Sequence, residues 1–150
     1  IDHIFSSPLE RALETAEFLA KPRGLTIEIT EQIHEVGFGD WTGKSLEELS
    51  GIPNWKTWNL FRSACRIPNG EVIIEVQARM VRFLLETAEI HKGKTVAVCC
   101  HGDPIKTALF YFLGAPLDLL LRLEICPASV STLEIFDDTA RVLEINRVYY

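Results

Sequence analysis

Thr95 to Cys100 reads Thr-Val-Ala-Val-Cys-Cys, a nearly unbroken apolar run with none of the polar alternation of a half-exposed strand. A strand of that kind has to be covered on both faces, which is the condition of a parallel sheet between helical layers. The run stops at His101-Gly102-Asp103-Pro104, and a helix through Leu113 follows, closed by Gly114. The same strand, turn and helix order opens the chain. Ile1 to Phe5 reads as a strand, and Ser7-Pro8-Leu9-Glu10 reads as a helix start. There Ser7 is expected to cap, Pro8 to take the first helical position and Glu10 to complete a capping box.

Other segments fit one alternating α/β domain. Leu9, Ala12, Leu13, Ala16 and Ala20 recur at helical spacing, Pro22 and Gly24 end that helix, and Leu25 to Ile29 alternates like a short strand. A short helix is expected near Ser45 to Leu49. A long amphipathic helix is expected from about Glu71 to Ile90, with Val72, Val76, Met80, Phe83, Leu84 and Ala88 as its stripe. The segment from Gly51 to Asn69 reads as an irregular or short-helical insert, and Leu117 to Leu123 as a further helix. Val130 to Phe136 and Arg141 to Val148 form a hairpin around Asp137-Asp138. The expected architecture is a three-layer α/β/α sandwich, with residues 1–150 as a single domain.

At 150 residues and 47% hydrophobic, the chain can bury a core. Its net charge of −6 argues against nucleic acid and anionic membrane as partners, since both demand clustered Lys and Arg. It leaves room for a small anionic substrate, because a site can be locally positive on an acidic protein. No apolar run reaches the ~20 residues of a membrane span. The four cysteines Cys65, Cys99, Cys100 and Cys126 form no C-x-x-C pair. They are expected to be buried, reduced thiols of a cytoplasmic protein.

Two polar features stand where such folds bind ligands, at strand ends and helix N-termini, and a third lies in a glycine-rich loop. Arg11 lies one turn into the first helix, and its guanidinium fork suits a phosphate or carboxylate held at that N-terminus. His101 ends the apolar strand beside Gly102, which lets a ligand approach the backbone. Glu35 precedes Gly39 and Gly43, and a carboxyl set against the apolar side chains of that loop would favour its protonated form. Each also has an ordinary alternative, as a solvated arginine, a structural histidine and a surface glutamate.

Together, in this order, they resemble the histidine phosphatase superfamily, the phosphoglycerate-mutase-like fold. Ser6-Ser7-Pro8-Leu9-Glu10-Arg11-Ala12 is similar to its S-S-P-L-x-R-A motif. Glu35, Gly39 and Gly43 resemble its E-x-x-x-G-x-x-x-G stretch, and Pro68-Asn69-Gly70-Glu71 its P-x-G-E segment, with Val72 where serine is common. Arg79 fits the arginine of the following helix, and His101-Gly102 the late H-G motif. The resemblance implies a metal-independent phosphomonoester hydrolase, without cofactor, acting on a small phosphorylated metabolite through a phosphohistidine. It gives Arg11 the phosphoryl oxygens, His101 the transition-state charge and Glu35 the proton transfers. Ser7, Gly102, Arg62 and Arg66 are expected to bind substrate. Trp55, Trp58 and Phe61 either line a leaving-group pocket or anchor the insert.

The family's Arg-His-Gly motif, on a central first strand, does not occur in these residues. His3 lies on a different element and does not replace it. The nucleophile is therefore expected ahead of residue 1, the sequence is expected to be N-terminally incomplete, and these 150 residues alone are expected to be inactive. A homodimer that donates a strand would be another way to fill the sheet. The insert carries only Lys56, Arg62 and Arg66 as basic residues. That favours a phosphatase, similar to the α-ribazole phosphate or broad-specificity enzymes, over a phosphoglycerate mutase. An inactive module that binds phosphorylated ligands is the reading from another class.

Overall fold

The computed structural model describes residues 1–149. Three parallel strands form its centre: β1 (His3–Ser6), β2 (Ile27–Ile29) and β3 (Val96–Cys99), in the order β2-β1-β3. Ile4 pairs with Ile27 on one side and with Ala97 on the other.

Side chains alternate across this sheet and build two separate cores. Ile4 and Cys99 pack with Ala16 and Ala20 of α1 (Glu10–Ala20). On the opposite face, Phe5, Val98 and Cys100 meet Met80 and Phe83 of α4 (Ile73–Ile90) and Ala108 of α5 (Gly102–Leu113). Helix, sheet and helix pair make the expected three layers. The neighbours Cys99 and Cys100 fall on opposite faces, as strand alternation requires.

Val96, Ala97 and Val98 are only half-buried, although both faces of their strand are covered. The reason is position, since β3 is the sheet edge. The hairpin of β4 (Val130–Ile135) and β5 (Ala140–Arg147) is a separate antiparallel pair and does not join that edge.

A third core fastens the middle of the chain to α4 and α5. Trp41, Leu49 of α2 (Leu46–Ser50), Trp58 of α3 (Pro53–Leu60) and Ile67 pack with Ile73, Val76 and Phe110. Trp41, Trp55 and Trp58 contact one another with ring centroids 5.4–5.6 Å apart. The insert is thus held by Trp58, which is 1% exposed, while Phe61 is 56% exposed.

Two expectations are corrected. Helix α1 begins at Glu10 rather than Pro8, with Leu9 as its N-cap and no side-chain cap. The cysteines are not uniformly buried, because Cys126 is exposed. The segment after Pro116 is helical as expected, in the form of a 3-10 helix, Leu117–Arg122. The Ser-x-x-Glu pattern does form a capping box at α2. There Glu48 N–H donates to Ser45 Oγ (3.2 Å) and Ser45 N–H to Glu48 Oε2 (2.7 Å). Among the described residues, no helix is long and apolar enough to cross a membrane.

Candidate active site

The carboxyl ends of β1 and β3 lie side by side, because Ser6 pairs with Cys99. The turns that follow therefore face each other. Ser7 is fully buried and its Oγ lies 2.8 Å from His101 Nε2, across 94 residues of chain. This bond explains the missing cap on α1. The serine hydroxyl is engaged with the imidazole, and only a long contact from Leu9 N–H, 3.4 Å, reaches it. Ser7 therefore orients His101, and its hydroxyl is covered by protein.

His101 is 5% exposed and is the N-cap of α5. Its other nitrogen, Nδ1, lies 3.9 Å from Glu35 Oε2. The same carboxylate oxygen lies 3.6 Å from Arg11 Nη2. Arg11, Glu35 and His101, distant along the chain, converge on this one oxygen. A Cβ added to Gly102 would meet nothing within 4 Å, so the backbone beside His101 is open to a ligand.

Burial moves the two titratable groups in opposite directions, as it must for an acid and a base. It raises the pKa of Glu35, aided by Asp103 and opposed by the Val36 N–H bond and the charges of Arg11 and Arg79. It lowers His101 to about 4, with the positive charge of Arg11 and the neighbouring His34 adding to the effect. At neutral pH the imidazole is uncharged. The adjoining thiols are poor nucleophiles, since burial pushes Cys99 up to about 11 and Cys100 up to about 12.

Of the two expected basic contacts from the insert, Arg62 is near this site and Arg66 is turned elsewhere. Arg62 lies 3.8 Å over the Trp58 ring, donates to Asn59 Oδ1 (3.1 Å) and pairs with Asp103 Oδ2 (2.9 Å) in the first turn of α5. Lys106 lies 3.8 Å from the other Asp103 oxygen. Arg66 is exposed, pairs with Glu75 and donates to the Gly70 carbonyl.

One part of the site had no role in the sequence reading. Glu71 and Arg79 were matched to motifs, but their contacts run to backbone groups of the Glu35 loop. Residue type alone gives no sign of such contacts. The glycine spacing after Glu35 was the available hint. Gly39 has φ of +46°, and a Cβ there would lie 2.2 Å from the Pro68 carbonyl oxygen. The two loops meet backbone to backbone, which only glycine permits.

Comparison with known proteins bears on the family and the fold. The sequence model described as histidine phosphatase superfamily (branch 1) matches residues 1–148. A bifunctional protein of Mycobacterium tuberculosis is 32% identical over 138 residues, which is 91% of this chain and 38% of that protein. The chain thus spans well under half the length of that relative. Phosphoserine phosphatase 1 of Hydrogenobacter thermophilus is 28% identical over 148 residues, 97% of this chain and 70% of the relative. Among solved structures, Bacillus stearothermophilus YhfR superposes with a TM-score of 0.90 at 28% identity, covering 99% of this chain and 75% of that one.

Proposed function

The chain belongs to the histidine phosphatase superfamily, and from that membership we propose that it serves in metal-independent hydrolysis of a small phosphorylated metabolite. The observation that carries the reading is the meeting of Arg11 and His101 at Glu35 Oε2, 3.6 and 3.9 Å away.

In this reading Arg11 grips the phosphoryl oxygens with its fork. His101, neutral and hydrogen-bonded to Ser7, donates from the ring nitrogen that faces the site when Ser7 supplies its own proton to Nε2. The N-terminus of α5 adds its partial positive charge. A histidine nucleophile, carried on a strand outside residues 1–150, attacks phosphorus as the ester oxygen leaves. Glu35, whose pKa burial raises, is in this reading the group that gives a proton to that oxygen. The resulting carboxylate then takes a proton from water, whose oxygen attacks the phosphohistidine. Histidine and inorganic phosphate are released, and Glu35 is protonated again. Among the described residues β3 pairs only with β1, so its other edge leaves room for such a strand.

One observation favours phosphatase over mutase. Arg62 and Arg66 are each paired to a carboxylate, so the insert offers little uncommitted positive charge for a second anionic group.

The test is hydrolysis of p-nitrophenyl phosphate by the protein extended to include its first strand. Activity is expected to survive a chelator, and a phosphohistidine is expected on rapid acid-free quenching. Removing a donor to the transferring group in Arg11→Ala or His101→Ala is expected to lower kcat by about 10²–10³. Normal turnover in both variants would refute the assignment. An extended protein with no turnover but tight phosphate binding would favour the binding-module reading.

A further inference from the structure

Glu35 points into the site because something turns it there, and its own side chain supplies only half of the reason. Its Oε1 accepts from the Val36 N–H at 2.9 Å, which leaves Oε2 for Arg11 and His101. The direction of that N–H is set by the Glu35–Val36 peptide. The carbonyl of this peptide and the N–H of the next are both tied to one ion pair outside the loop. Arg79 Nη2 donates to the Glu35 carbonyl (3.1 Å), and Glu71 Oε2 accepts from the Gly37 N–H (2.7 Å). Arg79 closes the pair on Glu71 through Nε (2.9 Å) and Nη2 (3.1 Å), and Nη1 donates to the Gln32 carbonyl (2.9 Å).

We infer that Glu71 and Arg79 are positioning residues for the proton donor: they clamp the backbone before and after Val36 and thereby fix where the Glu35 carboxyl points. The inference rests on the reading of Glu35 as general acid. Arg79 projects from α4, an 18-residue helix packed in the core, so the clamp refers the loop to a rigid element. Rigid support of this kind matters because proton transfer depends steeply on hydrogen-bond geometry. Two further backbone bonds hold the same loops together, Glu71 N–H to the Gly37 carbonyl (2.9 Å) and Asp40 N–H to the Pro68 carbonyl (3.0 Å). With these in place, loss of the ion pair should displace the carboxyl without unfolding the loop. Lysine at position 79 has no planar fork and cannot reproduce the set of bonds.

The experiment compares an alkyl phosphate, whose leaving oxygen needs a proton, with p-nitrophenyl phosphate, whose leaving group does not. It uses the extended protein carrying Arg79→Met, Arg79→Lys, Glu71→Gln, Glu35→Gln and the Glu35→Gln/Arg79→Met pair. Arg79→Met is expected to slow the alkyl ester about 10-fold more than the aryl ester. It is expected to add less than about 3-fold to the alkyl-ester defect of Glu35→Gln, because both act through one group. Glu71→Gln and Arg79→Lys should repeat the selectivity in weaker form, and they decide the matter if Arg79→Met does not fold. Equal slowing of both esters, or multiplication of the two defects in the pair, overturns the positioning role while Glu35→Gln stays selective. A Glu35→Gln enzyme without leaving-group selectivity overturns the acid reading, and this inference with it.

Discussion

Glu35 and His101 share one environment and respond oppositely to it, since burial raises the carboxyl and lowers the imidazole. Asp103 belongs to this balance, because its charge is among the causes that raise Glu35. Asp103→Asn is expected to lower the Glu35 pKa and so to move the alkaline limb of the kcat/KM profile to lower pH. An unmoved limb would separate Asp103 from the acid. His101 makes a second prediction, for stability. Its pKa falls from 6.5 in the unfolded chain to about 4 in the fold. Between those values the unfolded state holds the extra proton, so stability is full above pH 6.5 and declines as pH falls towards 4. The loss amounts to about 3 kcal/mol. Glu35, whose pKa is raised, has the opposite slope above its unfolded value of 4.5. Urea titrations should therefore be read as wild type minus His101→Asn, and a difference independent of pH would contradict the burial of the neutral ring. The types and order of Arg11, Glu35 and His101 were readable from motif spacing. Their convergence on Oε2 was not, nor was the claim of His101 on Ser7, because both join residues far apart in sequence. A local rule assigned Ser7 to its helix, and a tertiary bond overrode it.

Elements with strong periodicity were legible almost to their ends. The stripe through Val76, Met80 and Phe83 marks α4, and the apolar run before His101 marks β3. The segment from Gly51 to Asn69 was not, because its helix is short and weakly amphipathic and its tryptophans suit a pocket or a core equally well. The structure separates them by burial. Trp58 is enclosed by Trp41, Trp55 and the Arg62 guanidinium, whereas Phe61 is largely in solvent. Trp58→Ala is expected to cost about 3–5 kcal/mol, the usual loss for deleting a large buried aromatic. Phe61→Ala is expected to stay within about 0.5 kcal/mol, as exposed substitutions do. Chemical denaturation of the two variants checks this, and a reversed order would mean that α3 is anchored elsewhere. Because Arg62 lies on the same ring and holds Asp103, the Trp58 variant should also disturb the charge that helps to set Glu35. The insert and the chemistry are thereby coupled through one aromatic side chain.

At the scale of the molecule, the sheet raises a question that no single element answers. Strand β3 is paired with β1 along one edge only, and the β4–β5 hairpin forms its own pair. An open strand edge exposes N–H and C=O groups that must find water or another strand. Leu143 and Ile145 of β5 are 52% and 37% exposed, so apolar surface stands uncovered on the hairpin as well. The proposed nucleophile-bearing strand would satisfy both needs if it lay between β3 and the hairpin, and it would bring its histidine to the same sheet end as Ser7 and His101. This makes a prediction that does not depend on turnover. In residues 1–150 alone, β3 amides facing away from β1 should exchange with deuterium far faster than those bonded to β1. In the protein extended through its first strand, the two sets should be protected to a similar degree, because both would then open only with the sheet. Protection of the outward amides in the short chain, lost on dilution, would indicate that a second copy supplies the strand. Rapid exchange persisting in the extended protein would place the nucleophile elsewhere, and Arg11, Glu35 and His101 would then have to act without it.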